Sequence, residues 1–350
     1  MEVKALKFGG LTAKRPIVQG GMGVGVSLSS LAGNVAKCGG IGTISGVHPG
    51  YREADFKENP FRANLRAIGN ELEKAKEIAN GGIIGFNFMT VMNHYEEYVK
   101  EAIAAGADFI VSGAGLPVNL AKYAAGTRAA ILPIVSSARA LKLIVKQWQR
   151  ADRLPDAVVV EGPLAGGHLG YPYGHLVDGT FDTLEDSLVD VVDYVRELEE
   201  KNDVKIPVIA GGGVRSHADM ERLMALGASG VQVGTKFVAT EECDAAPAFK
   251  QAYLRSRKED VQLIESPVGL AARAIRNSFL EKVEKQGRIP VQRCYQCMNH
   301  CKQAETKYCI SQALIDAVQG REGLVFCGAN AYEIEKLSTV EKVMQELCGE

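Results

Sequence analysis

The chain repeats one pattern eight times: a short, continuously apolar run, a stop at glycine or a polar residue, and then a connection, most often helical, to the next run. The runs lie at residues 15–19, 41–45, 83–88, 109–112, 131–135, 157–160, 207–210 and 230–233. Helical periodicity is expected from Ser27, read as a cap, to about 38, then over 64–79, 94–105, 138–150 and 182–201, and from a Ser216 cap to 226. Apolar runs that do not alternate with polar residues belong to a parallel sheet covered on both faces. Eight such units within roughly 240 residues predict an α/β fold of the TIM (β/α)8 barrel type. An open doubly wound sheet is the alternative, but no G-x-G-x-x-G dinucleotide loop supports it.

Composition narrows the function classes. A net charge of −2 offers no electrostatic case for nucleic acid or an anionic membrane. No apolar run reaches the ~18 residues of a membrane span, and the first seven residues lack the apolar core of a signal peptide. The expectation is a cytoplasmic protein whose partner is a small-molecule substrate, with homo-oligomerisation left open.

A barrel gathers its active site at the C-terminal ends of its strands. Those ends offer Gly20-Gly21-Met22, Asn87, Ser112-Gly113, Ser136, Glu161 with Gly166-Gly167-His168, Gly211-Gly212-Gly213, and Gln232-Val233-Gly234-Thr235. Glycine allows a close backbone approach to a ligand. Barrels commonly bind phosphate after strands seven and eight, where Gly212, Gly213, Gly234 and Thr235 fall. A flat ring attached to that phosphate would lie against Gly21, Met22, Asn87, Gly166 and Gly167. Asn87 either meets a heterocycle edge or caps the following helix, and Glu161 either accepts from a ribityl hydroxyl or caps a loop amide. His168 carries the side chain best suited to proton exchange near neutral pH. Flavin mononucleotide fits these glycine-rich, weakly cationic ends better than a sugar phosphate does. An aldolase-like site would need a lysine or paired carboxylates at strand ends, and neither is evident.

These motifs, in this order across residues 9–240, resemble those of the nitronate monooxygenase family, formerly the 2-nitropropane dioxygenases. The FMN-dependent enoyl-acyl-carrier-protein reductases look like relatives. The resemblance implies an FMN-binding barrel in which Asn87, Glu161, Gly166, Gly212, Gln232, Gly234 and Thr235 match flavin-contacting positions and His168 matches the active-site histidine. It departs at Glu161, where the family often has Gln, at Pro163-Leu164, and in Tyr171-Pro172-Tyr173-Gly174-His175. That last stretch either shapes a substrate pocket, with Tyr173 or His175 as a second proton donor, or is a surface loop. Two reactions follow from the resemblance. One is oxidation of alkyl nitronates or nitroalkanes by O2 to a carbonyl compound and nitrite, with His168 as base or hydrogen-bond donor. The other is NAD(P)H-dependent reduction of an enoyl group or quinone. A flavin-binding protein without catalysis is the competing class.

Beyond the barrel (1–245), residues 246–350 are expected to be a helical extension packed on it, with helices near 267–286, 303–318 and 331–347. Four of the eight cysteines, Cys294, Cys297, Cys301 and Cys309, lie within sixteen residues, with His300 among them. Clustered thiols without an oxidising compartment suggest metal or redox chemistry. The C-x2-C-x3-C start is similar to the cluster signature of some flavin-dependent enoate reductases, which implies a 4Fe–4S centre. The last spacing is shorter here, so zinc and free thiols stay open.

Overall fold

The computed structural model describes residues 4–298 and 301–350. It opens with an antiparallel hairpin, β1 (Leu6–Phe8) and β2 (Leu11–Ala13), turned at Gly9-Gly10. The strands β3 (Ile17–Gln19), β4 (Ile41–Ser45), β5 (Ile83–Met89), β6 (Phe109–Gly113), β7 (Ala130–Val135) and β8 (Val158–Glu161) come next. A short strand, β9 (Gly167–Leu169), stays outside the barrel, and β10 (Val208–Gly211) and β11 (Gly230–Val233) complete it. The eight barrel strands close in the order β10–β11–β3–β4–β5–β6–β7–β8, and every pairing between them is parallel. This is the expected TIM barrel.

The strands read as continuously apolar because each buries both faces. Val18, Ile41, Phe109, Val111, Leu132, Val159 and Ile209 pack inside the barrel. Their neighbours Ile17, Ile44, Phe86, Ile110, Val158, Val160 and Val231 belong to the larger core shared with the helices. The hairpin, which the sequence reading missed, contributes Leu6, Phe8 and Ala13 to the barrel interior. Phe8 meets Phe109 edge-on with ring centroids 6.1 Å apart. The hairpin thus plugs the barrel end remote from the strand C-termini.

Around the barrel run α1 (Ser29–Lys37), α2 (Pro60–Ala79), α3 (Tyr95–Ala104), α4 (Leu120–Tyr123), α5 (Ala138–Trp148), α6 (Tyr173–Asp178), α7 (Leu184–Asn202) and α8 (His217–Ala225). Four of these eight begin at a side-chain cap that satisfies an otherwise orphaned amide. Asn59 caps α2, Ser137 caps α5, and Thr183 and Ser216 form capping boxes with Asp186 and Asp219 on α7 and α8. The expected Ser27 cap is not formed. Ser27 Oγ instead accepts from the Met22 amide at 2.8 Å. The start of α1 is held from across the chain by the Asp244 carboxylate, which accepts from the amides of Leu28, Ser30 and Leu31.

The C-terminal part carries α9 (Thr235–Val238), α10 (Pro247–Arg255), β12 (Val261–Glu265), β13 (Ala271–Ile275), α11 (Ser278–Gln286), α12 (Ile310–Val318) and α13 (Val340–Cys348). The helix expected over 267–286 is therefore a strand followed by a shorter helix. Ala271-Ala272-Arg273-Ala274-Ile275 has reasonable helix propensity, but it pairs antiparallel with β12 on one side and β9 on the other. These ladders bury all five residues, and tertiary pairing overrides propensity. Asn277 then caps α11 through Leu280 N. The helix expected over 303–318 begins only at Ile310, and 331–347 divides into a 3-10 turn at Ala331–Glu333 and α13, capped by Thr339.

If the hairpin is a true plug, Phe8→Ala leaves a cavity in the barrel floor and destabilises the protein by about 3 kcal/mol. Urea unfolding measures this, and a loss below about 1 kcal/mol would show that β1 is dispensable packing.

Candidate active site

The strand C-termini surround an inner cavity of about 410 Å³. Its wall includes all twelve residues expected at the site: Gly21, Met22, Asn87, Glu161, Gly166, Gly167, His168, Gly212, Gly213, Gln232, Gly234 and Thr235. They come from the C-terminal ends of five barrel strands, which closure brings together, with Gly167 and His168 placed by the pairing of β9 with β13. Asn87, near the end of β5, does not cap the next helix: the N-cap position of α3 is His94. Its amide points to Gly21 O at 3.4 Å, and a Cβ on Gly21 would lie 2.4 Å from Asn87 Cβ. Gly212 and Gly213, after β10, have φ of +103° and +89°, a region costly for other residues.

The loop between β8 and β9 carries the chemistry. Glu161 ends β8 beside Gly211 of β10. The Tyr171 hydroxyl donates to the Glu161 backbone carbonyl at 3.1 Å. Burial pushes the Glu161 carboxyl up to about 7. Desolvation penalises the ionised form, and among the described residues no cation offsets it. His168 sits in β9 opposite Ala272 of β13. Its Nε2 shares a hydrogen bond with Ser266 Oγ at 2.8 Å, and its ring meets Phe326 edge-on at 5.0 Å. Burial pushes His168 down to about 4, so the imidazole is neutral at pH 7.

The sequence reading missed the groups that hold this loop. Arg273, only 8% exposed, donates through its guanidinium to the carbonyls of Ala165 and, at 2.9 Å, Pro163. Segment 326–330 forms another wall of the inner cavity. A Cβ on Gly166 would lie 2.7 Å from the Cys327 backbone, and Thr235 Oγ1 accepts from Gly328 N at 3.2 Å. One signal was available: Leu324-Val325-Phe326-Cys327-Gly328 is an apolar run ending in glycine, the pattern that marked the other strand ends. Nothing local distinguishes Arg273 or Ser266.

A second cavity of about 900 Å³ adjoins the first. Tyr171, Pro172 and Tyr173 line it, as does Cys301, whereas His175, exposed on α6, lines neither cavity. Only Ala114, Ile134, Glu161 and His168 border both. These four form the neck between the two spaces.

The cysteine expectation fares differently. Cys294, Cys297, Cys301 and Cys309 are free thiols, and His300 lies outside the described residues. Among the described residues no group of three or more His, Cys, Asp or Glu side chains is arranged to hold a metal ion, so the expected 4Fe–4S ligand set is not assembled. The segment is instead tied to the barrel rim, with Asn93 N donating to Cys297 O at 3.1 Å and Asn93 Nδ2 to Gln296 O at 2.7 Å. Burial raises the Cys297 thiol to about 11, which keeps it protonated.

The model of the family described as nitronate monooxygenase matches residues 4–350. The chain belongs to the nitronate monooxygenase family. It is 25% identical over 309 residues to a probable nitronate monooxygenase of Staphylococcus saprophyticus, covering 81% of this chain and 82% of that protein. A probable nitronate monooxygenase of Staphylococcus aureus is 26% identical over 305 residues, covering 80% and 81%. In fold, the chain resembles FabK from Thermotoga maritima, with TM-score 0.71 and 22% identity over 96% of this chain and 92% of that one. It also resembles a nitroalkane oxidase from Streptomyces ansochromogenes, with TM-score 0.68 and 19% identity over 96% and 95%. This member of the nitronate monooxygenase family is an FMN-dependent oxidoreductase acting on small molecules. Among the described residues no helix is long and apolar enough to cross a membrane.

The inner cavity fits such a cofactor. Six of the expected residues that line it are glycines, and a Cβ on Gly167 would meet nothing closer than Phe326 at 3.9 Å, which leaves the backbone open for a planar ring to approach. Arg273→Met removes two donors from a loop that lines this cavity. It is expected to destabilise the protein by about 2 kcal/mol and to weaken FMN binding at least tenfold, with Arg273→Lys recovering only part because an ammonium lacks the two-pronged fork. Fluorescence titration with FMN measures this, and an unchanged affinity in Arg273→Met would mean that the loop holds without the guanidinium.

Proposed function

We propose that the protein oxidises alkyl nitronates, and the nitroalkanes from which they derive, with O2 to a carbonyl compound and nitrite. The observation that carries this reading is His168 at the neck, neutral and fixed by Ser266, within a chain that matches the nitronate monooxygenase family from end to end. When bound, FMN supplies the electron transfer and the reaction with oxygen. Gly21, Met22, Asn87, Gly166, Gly167, Gly212, Gly213, Gln232, Gly234 and Thr235 would hold it, the ring toward Gly21 and Asn87 and the phosphate toward the amides after β10 and β11. Gln232 presents an amide that can both donate and accept, and Glu161 stands at the edge of this cofactor space.

The substrate would occupy the outer cavity with its nitro group at the neck. A neutral imidazole there offers an N–H to a nitro oxygen without forming an ion pair, and its hydrogen bond to Ser266 limits the ring's orientation. The low value of His168 also sets a pH limit. The ring gains charge only as pH falls toward about 4, so activity that depends on the neutral ring persists down to that range and is lost below it. Cytoplasmic location goes with this reading.

The test is nitrite release and oxygen uptake with a small alkyl nitronate under air, on protein loaded with FMN. The wild type is expected to release nitrite, and His168→Ala to lower kcat/KM about 100-fold while retaining its flavin absorbance. Consumption of NADH or NADPH with an enoyl thioester or a quinone, without nitrite from any nitronate, would replace this reading with the reductase. Full activity in His168→Ala would remove the histidine from the chemistry.

A further inference from the structure

The neck between the cavities holds two titratable side chains, His168 and Glu161, and the proposed reaction assigns a task to only one of them. His168 already engages Ser266 through Nε2. Glu161 makes no side-chain hydrogen bond or ion pair to any described residue. The other carboxylates at the cavity walls are committed: Glu265 faces Lys307 at 3.5 Å, Glu305 faces Lys302 at 3.2 Å, and Glu333 pairs with Arg215 at 3.0 Å. Glu161 is thus the one wall carboxylate among the described residues that is both unpaired and at the neck.

We propose, on the basis of the nitronate reading above, that Glu161 is the catalytic base that converts a neutral nitroalkane into its nitronate, while His168 hydrogen-bonds the nitro oxygens of the anion. The step balances without a redox partner. The α-carbon–hydrogen bond breaks, its electron pair moves onto the nitro group, and the proton forms an O–H bond on the Glu161 carboxylate. The carboxylic acid so formed no longer repels the anion beside it. A base working near neutral pH should have its own value near that pH, and burial sets Glu161 at about 7, whereas His168, at about 4, is a far weaker base.

The surroundings of Glu161 are consistent with this task. Tyr171 lies against it and has Asp182 in its own field. His168 comes from β9, whereas the residue after β6 is the uncharged Ala114, β7 presents Ile134 and β10 presents Gly211. Lys302 and Lys307, on the outer wall, are the paired cations already described. No cation among these holds the carboxylate ionised at low pH, so it can change charge in the working range.

The proposal makes the two substrate forms behave oppositely. For a nitroalkane of high intrinsic pKa, kcat/KM rises as pH climbs through about 7, because the base must be ionised. For the preformed nitronate it falls over the same range, because an ionised Glu161 repels the anion. Glu161→Gln is expected to lower the ratio of nitroalkane to nitronate kcat/KM about 100-fold and to remove both pH limbs. A readout independent of turnover is exchange of the α-hydrogen for deuterium in D2O, followed by proton NMR. The wild type should accelerate exchange over buffer, and Glu161→Gln should not. An unchanged ratio in Glu161→Gln, or pH limbs running in the same direction, would overturn the proposal while leaving nitronate oxidation intact. Absence of nitrite from both substrates would instead remove the nitronate reading, and the deuterium exchange would still decide whether Glu161 acts as a base. FMN titration of Glu161→Gln separates a lost base from a lost cofactor contact: affinity within about threefold of wild type supports the base, and a loss matching the drop in ratio overturns it.

Discussion

The pairing of β9 with β13 is the interaction on which the site depends. It converts a glycine-rich loop, which would otherwise wander over the barrel mouth, into a strand with His168 in register opposite Ala272. The same pairing brings Arg273 beneath the loop carbonyls and carries the β12–β13 turn, with Ser266, to the imidazole. Without it, the histidine would lack both its orientation and its desolvation, and the cavity would lose a wall. Ladder hydrogen bonds and a buried guanidinium fork supply this constraint at modest net energy, because the buried carbonyls must be satisfied in any case.

The barrel supplies the other half. Closure of eight parallel strands aims all their C-terminal ends at one space, so residues as far apart in the chain as Gly21 and Thr235 share one wall. The hairpin plug and the buried interior rows fill the opposite end, and chemistry is confined to one face. Within that face, burial drives the two neck groups apart in proton affinity: the imidazole becomes a weaker base and the carboxyl a stronger one. Pairs of titratable groups pushed apart by their environments are what acid–base sites are built from.

Much of this was legible in the chain. The eight apolar runs, the glycines at their ends, Asn87, Gln232 and His168 follow patterns that local sequence imposes, and barrel geometry then assembles them. Elements that answer to distant partners were not legible. Asp244 caps α1 from more than 200 residues away, and Ser27, which looks like a cap, turns to Met22 instead. Residues 271–275 have a helical composition and become a strand because two edges await them. The cysteine spacing suggested a cluster, yet the strap that carries it is tied to Asn93 at the barrel rim.

By itself, the sequence determined the barrel and the inventory at its mouth, since a continuous apolar run can be stable only where both faces are covered. Only the tertiary structure decided which of those residues are reactive. Proton affinity, orientation and access depend on what packs around a group: Ser266, Phe326 and the β13 edge around His168, and an uncompensated burial around Glu161. These surroundings come from the C-terminal third of the chain and from the closed barrel. No local pattern near residues 161–168 could encode them, because desolvation is a property of the assembled neighbours rather than of the residue.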